Sequence, residues 1–158
     1  MFKFFTIVAI LVAAYIPQNL IALDAPAKVV EPTLEETILK YSTQYGSNPD
    51  VLYSVMMCES GGKWIKGDFR KDTYHSFGQF QYFTETWNRY SKQFGEELDI
   101  NSAHDQIKLT AWVYSLGESQ KSEWTTYVAI KKGGTYSFWS KFHQKNFTVK
   151  CPLKKLPV

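Results

Sequence analysis

From Thr33 onward, apolar residues recur at helical spacing. Thr33-Leu34-Glu35-Glu36 has the form of a capping box, with Thr33 as cap and Glu36 reaching back from the third helical position. Leu34, Ile38 and Tyr41 follow on one face, and Gly46 stops the helix. Asn48-Pro49 restarts it, because Asn accepts from the first free N–H groups and Pro suits the first turn. Leu52, Val55 and Met56 form the apolar face of this second helix, flanked by Val51 and Cys58, and Ser60-Gly61-Gly62 closes it. Between Lys63 and Tyr82 the helical period disappears, and Gly67, the charged stretch Asp68 to Asp72 and Gly78 predict loops or a short hairpin. Helices are expected again at Thr84 to Phe94, Asn101 to Leu116, Ser122 to Lys131 and, briefly, Ser137 to His143. The pattern predicts one mainly α domain of α+β type, with an irregular insert directly after the second helix.

The N-terminus follows another logic. Lys3 precedes an apolar run from Phe4 to Ile16, broken only by Thr6, and Pro17 ends it. The run suits the core of an export signal and is short for a membrane span. Residues 1–25 are read as a signal peptide or N-terminal membrane anchor, 26–32 as a linker, 33–143 as the domain and 144–158 as a basic C-terminal tail. The expected location is therefore outside the cytoplasm: periplasm, cell wall or secreted.

Charge narrows the classes of partner. Lys plus Arg number 18 against 15 Asp plus Glu, a net +3, which is little for a protein that binds nucleic acid by neutralising phosphates. Lys141, Lys145, Lys150, Lys154 and Lys155 give the tail either solubility or weak attraction to an anionic surface. On an exported chain, Cys58 and Cys151 either pair as a disulfide or remain a buried and an exposed thiol; pairing is favoured. His75, His104 and His143 lie in unrelated segments, so the sequence gives no support to a metal site, and no cofactor is expected. The aromatic share, 16%, is high for so small a core; the rings either pack a tight bundle or line a groove for a flat ligand.

Glu59 is the first candidate for chemistry. It ends a helix after Val55-Met56-Met57-Cys58. Apolar neighbours and the negative end of the helix dipole both raise a carboxyl pKa, which makes a proton donor near neutral pH. By position alone, a solvated helix-end glutamate is an equally good reading.

Glu59-Ser60, followed by Gly78-Gln79-Phe80-Gln81-Tyr82-Phe83-Thr84-Glu85-Thr86-Trp87, resembles the lytic transglycosylase and goose-type lysozyme superfamily. Glu-Ser at the end of a hydrophobic helix, then G-x-x-Q, an aromatic pair and a Thr just inside the next helix, follow that family's order. The resemblance spans Thr33 to Gly134 and implies a lysozyme-like fold. It implies cleavage of the β-1,4 bond between N-acetylmuramic acid and N-acetylglucosamine in peptidoglycan, with a 1,6-anhydro product. Glu59 would be general acid and then base. Gly78 would let the backbone approach the sugar, Gln81 would orient Glu59 or bind substrate, and Ser60 would bind substrate or cap the helix end. Thr86 would tie the loop to the helix, and Ser76 and His75 would be contacts in the insert.

The family's third motif, Ala-Tyr-Asn, is missing; Tyr127, in Trp124 to Ala129, stands in about its place as a substrate-binding candidate or a core residue. Tyr74, Phe77, Phe80 and Tyr82 would flank the cleft, Trp87, Tyr90 and Phe94 would be core, and Trp112, Tyr114 and Trp139 could be either. The competing readings are a hydrolytic muramidase and a non-catalytic peptidoglycan-binding module. The muramidase needs a second carboxylate roughly 5–9.5 Å away. Asp68 and Asp72 are its candidates, although both also read as members of an exposed charged run. Expected partners are peptidoglycan glycan strands, with the chain a monomer.

Overall fold

The computed structural model describes residues 30–66, 76–140 and 144–157, and the compact unit runs from Glu31 to the C-terminus. The leader read at 1–25, the carboxylates Asp68 and Asp72, and Tyr74 and His75 lie outside the described residues. Among the described residues no helix is long and apolar enough to cross a membrane.

The caps work as the residues dictate. Thr33 Oγ1 accepts from Glu36 N, and Glu36 Oε2 accepts from Thr33 N at 2.8 Å, so α1 (Leu34–Tyr45) starts with both orphan donors satisfied. Asn48 Oδ1 accepts from Asp50 N and Val51 N to open α2 (Pro49–Ser60). Gly61, at φ 68, closes α2 by donating to Met57 O, a left-handed cap that glycine adopts without strain. A two-residue pairing of β1 (Ser76–Phe77) with β2 (Tyr82–Phe83) leads directly into α3 (Thr84–Phe94).

The axis of the core is α4 (Ala103–Ser115), capped by Ser102 Oγ on Asp105 N. Gln106, Ile107, Leu109, Thr110, Ala111, Val113 and Tyr114 are buried on all sides of it, as a central helix requires. α1, α3 and α5 (Glu118–Lys121) pack around α4, and α6 (Thr125–Lys131) packs on α2. Ile38, Leu52, Val55 and Met56 fill the space between. Each large apolar side chain buried here contributes roughly 1.5–3 kcal/mol.

Three expectations are corrected. The helix expected over Ser122 to Lys131 begins only at Thr125, as α6, and a separate short α5 precedes it. The short helix expected from Ser137 is strand: β3 (Thr135–Ser140) pairs antiparallel with β4 (Lys145–Lys150), Phe138 opposite Phe147. The residues after 144 are structured. Beyond β4, Cys151 to Leu156 run back along α2 as a strap. Cys58 and Cys151 form a disulfide with Cα atoms 5.8 Å apart. Ser54 Oγ accepts from Lys154 N at 2.7 Å, and Asp50 accepts from Leu156 N and pairs with Lys155. Closing a loop of 93 residues is worth about 4–5 kcal/mol in the chain-entropy account. The helix that carries Glu59 is thus fastened along its length. With two antiparallel hairpins and about half of its residues helical, the protein is α+β.

Candidate functional site

Four pieces of chain surround a cleft of about 310 Å³: the end of α2, the β1–β2 turn, the start of α3 and the connector between α5 and α6. It is lined by Glu59, Ser76, Gln81, Tyr82, Phe83, Thr86, Glu123, Trp124 and Thr125.

Glu59 is half-buried in the last turn of α2, and its carboxyl accepts one hydrogen bond, from Thr126 Oγ1 to Oε1 at 2.6 Å. Burial pushes its pKa above the ordinary carboxylate value, and the Thr126 hydroxyl offsets this only in part. The raised pKa expected from its apolar neighbours is therefore present. Tyr114 is buried with its hydroxyl unpartnered among the described residues, and its pKa is raised by burial first and by the nearby charges of Tyr82 and Glu59 next.

The turn between β1 and β2 is built from inside. Gln106, fully buried in α4, sends Nε2 to Ile100 O at 2.5 Å and accepts from Phe80 N at 3.1 Å through Oε1. Gly78 sits against this amide at φ 76, where an added β-carbon would lie 1.7 Å from Gln106 Nε2. The glycine is therefore required by Gln106, whatever approaches the backbone from the cleft side. Ser60 Oγ donates to Gln79 O at 2.9 Å, sharing its proton with Met56 O at 3.2 Å, so it joins the end of α2 to the turn.

Gln81 has φ 52, unusual for a residue with a side chain. Its Oε1 accepts from Ser76 Oγ at 2.5 Å, and its Nε2 donates to Gly78 O at 2.7 Å and Ile65 O at 3.2 Å. That amide closes the turn that forms one wall of the cleft, rather than bonding Glu59. Ser76, buried, spends its hydroxyl on the same amide.

The rings divide differently from expectation. Phe80, expected beside the cleft, is a core residue, and Tyr82 lines the cleft but is almost wholly buried, its OH bonded to Thr110 Oγ1 at 2.9 Å. Tyr82 meets Trp87 and Trp124 edge to face at 5.2 and 5.3 Å, and Tyr114 meets Trp124 and Tyr127 at 5.4 and 5.6 Å. Trp124 is locked by Nε1 donating to Phe80 O at 2.9 Å. Tyr82, Trp87, Trp124, Tyr114 and Tyr127 therefore form one group of packed rings, of which Tyr82 and Trp124 line the cleft. Phe83, 42% exposed, is the accessible ring among the described lining residues. Trp87 and Tyr90 are core as expected, Phe94 and Trp112 pack partly buried against it, and Trp139 is exposed.

Tyr127 does not face Glu59. Its hydroxyl donates to Glu118 at 2.8 and 2.9 Å, and Tyr114 is the tyrosine whose pKa the Glu59 charge helps to raise. Sequence reasoning missed Thr126 and Glu123. Thr126 lies 67 residues from Glu59, and no local pattern links the two. Glu123 lies in the break between α5 and α6, which periodicity had read as continuous helix. It accepts from Arg89 Nη2 at 2.5 Å and from Tyr90 OH at 2.6 Å. Among the described residues no cluster of His, Cys, Asp and Glu is arranged to hold a metal ion.

Chemically, the cleft offers a carboxyl that keeps its proton to higher pH than a solvated one, a fixed carboxylate in the other wall, hydroxyls from Thr86 and Thr125, and one accessible ring. No protein-family model, no curated protein and no solved structure matches the chain.

Proposed function

We propose that the protein is an exported peptidoglycan-cleaving enzyme of lysozyme-like fold that acts as a lytic transglycosylase with Glu59 as its general acid and base. The observation that carries this reading is the half-buried Glu59 carboxyl, its proton affinity raised by burial, at the end of a helix and inside a cleft. A carboxyl so placed gives its proton to the oxygen between N-acetylmuramic acid and N-acetylglucosamine as the C1–O bond breaks. The carboxylate left behind takes the proton of the muramyl 6-hydroxyl as that oxygen closes on C1. The ring becomes 1,6-anhydro, no water is consumed, and Glu59 ends as it began. Thr126 holds the carboxyl in one orientation throughout and favours the charged form that appears midway.

The hydrolytic reading has one observation in its favour: a second carboxylate, Glu123, lines the same cleft. Digestion of purified sacculi separates the readings. The full chain should release soluble glycan whose masses show anhydro ends, and Glu59→Gln should release none. Reducing ends would move the assignment to a muramidase. Absence of any release, with sacculus binding retained, would leave only a binding module.

A further inference from the structure

Glu123 is not used by the reaction above, yet it is held from two sides at the cleft. Arg89 and Tyr90 approach its two oxygens from α3, Arg89 on Oε2 and Tyr90 on Oε1. A carboxylate has about four acceptor positions, so two remain. About a third of the side chain is exposed, and it is exposed where it lines the cleft. A pre-positioned acceptor binds without ordering cost.

What it would bind follows from its surroundings. Arg89 already balances the carboxylate, so the remaining positions suit a neutral donor. The described lining holds no basic residue that would select an anionic group, and the Glu59 carboxyl keeps its proton. Phe83 supplies an apolar face in the same cleft, with Thr86 and Thr125 supplying hydroxyls. An apolar face with polar groups around it fits a neutral pyranose. On the reading that the cleft binds peptidoglycan, we propose that Glu123 is a fixed acceptor for an acetamido N–H or a hydroxyl of N-acetylglucosamine.

The test uses chitotriose, the neutral trimer of N-acetylglucosamine, titrated calorimetrically into the full chain and its variants. Glu123→Gln should weaken binding by about ten- to a hundredfold, the usual worth of a hydrogen bond to a charged group. Arg89→Gln breaks the same tie to α3 but leaves the carboxylate, and should bind far closer to the unchanged chain. If Arg89→Gln loses as much as Glu123→Gln, the tie rather than the acceptor matters and the inference is overturned. It is overturned also if Glu123→Gln keeps its affinity, and in favour of a catalytic base if that variant binds normally but no longer turns over sacculi. A wild-type chain that neither binds chitotriose nor releases glycan would instead defeat the peptidoglycan reading on which this rests.

Discussion

Two glutamates, Glu59 and Glu118, lie at helix ends and are taken in opposite directions by their surroundings. Among the described residues Glu59, half-buried at the end of α2, has one hydroxyl as partner and no cation, and burial raises its pKa. Glu118 opens α5 in solvent; Lys131 first, then Tyr127 and Lys121, hold its carboxylate, and its pKa falls to about 2. The phenol pays the reciprocal effect: Tyr127 is pushed up to about 12, by burial first and by Glu118 next. The contrast teaches that a carboxyl becomes a proton donor through what is withheld from it. Each of the partners that surround Glu118 would keep Glu59 ionised and inert as an acid.

The pH consequences have opposite signs. Glu118 has a depressed folded pKa, so its stabilising contribution is present above the unfolded value, near 4.5, and is lost as pH falls towards about 2. Glu59 has a raised folded pKa, so its relative contribution is fullest below the unfolded value and declines as pH rises through the folded one.

The largest expected effect is on Glu59 itself. Glu59→Gln should lower glycan release from sacculi by about 10²–10⁴-fold or more, the range for a lost acid–base group. The same substitution should stabilise the fold at neutral pH by about 1 kcal/mol in urea unfolding, as removal of a strained functional group often does. Glu118→Gln should do the reverse, sparing glycan release while lowering stability above pH 4.5. If both variants lost activity equally, the contrast between the two carboxyls would have no functional content.

Next comes the strap behind Glu59. Replacing Cys58 and Cys151 together by Ser should cost about 2–5 kcal/mol in thermal unfolding, with the loss concentrated in the strap and α2. Unchanged melting would show that the strap does not hold the helix that carries Glu59.

A smaller effect sharpens the electrostatics. Thr126→Val removes the one hydrogen bond that favours the charged Glu59, so the alkaline limb of the pH–rate profile should move to higher pH. Turnover at the optimum should fall about tenfold or less, the worth of one hydrogen bond. A limb that moved to lower pH would reverse the sign assigned to Thr126. The smallest effect is Lys131→Met, which should raise the Glu118 titration midpoint while glycan release stays within about twofold, as for most surface substitutions.

How far the sequence reached depended on how local each cause is. The first two helices were legible because Thr33 with Glu36, and Asn48 with Pro49, act within four residues of each other. Glu59 was legible as a helix-end carboxyl with apolar neighbours, though a solvated position fitted the same residues. The β3–β4 hairpin was missed although its period was present: Tyr136 and Phe138 alternate along one strand, Phe147 and Val149 along the other. The lysines at 145 and 150 drew that stretch towards a charged tail. The packing that requires Gly78 was not legible, because its neighbour Gln106 comes from another helix. Tyr127 and Tyr114 could not be told apart, since either fits the core and only their tertiary surroundings place Tyr127 on Glu118 and Tyr114 within reach of the Glu59 charge. The Thr126 and Glu123 partnerships are long-range and leave no periodic mark.

The most direct measurement is a carboxyl-carbon NMR titration of the full chain labelled at glutamate, with Glu59 and Glu118 assigned through their Gln variants. The account predicts that Glu59 titrates above the ordinary carboxylate range while Glu118 titrates near 2. A Glu59 midpoint at or below that of a solvated glutamate would contradict it.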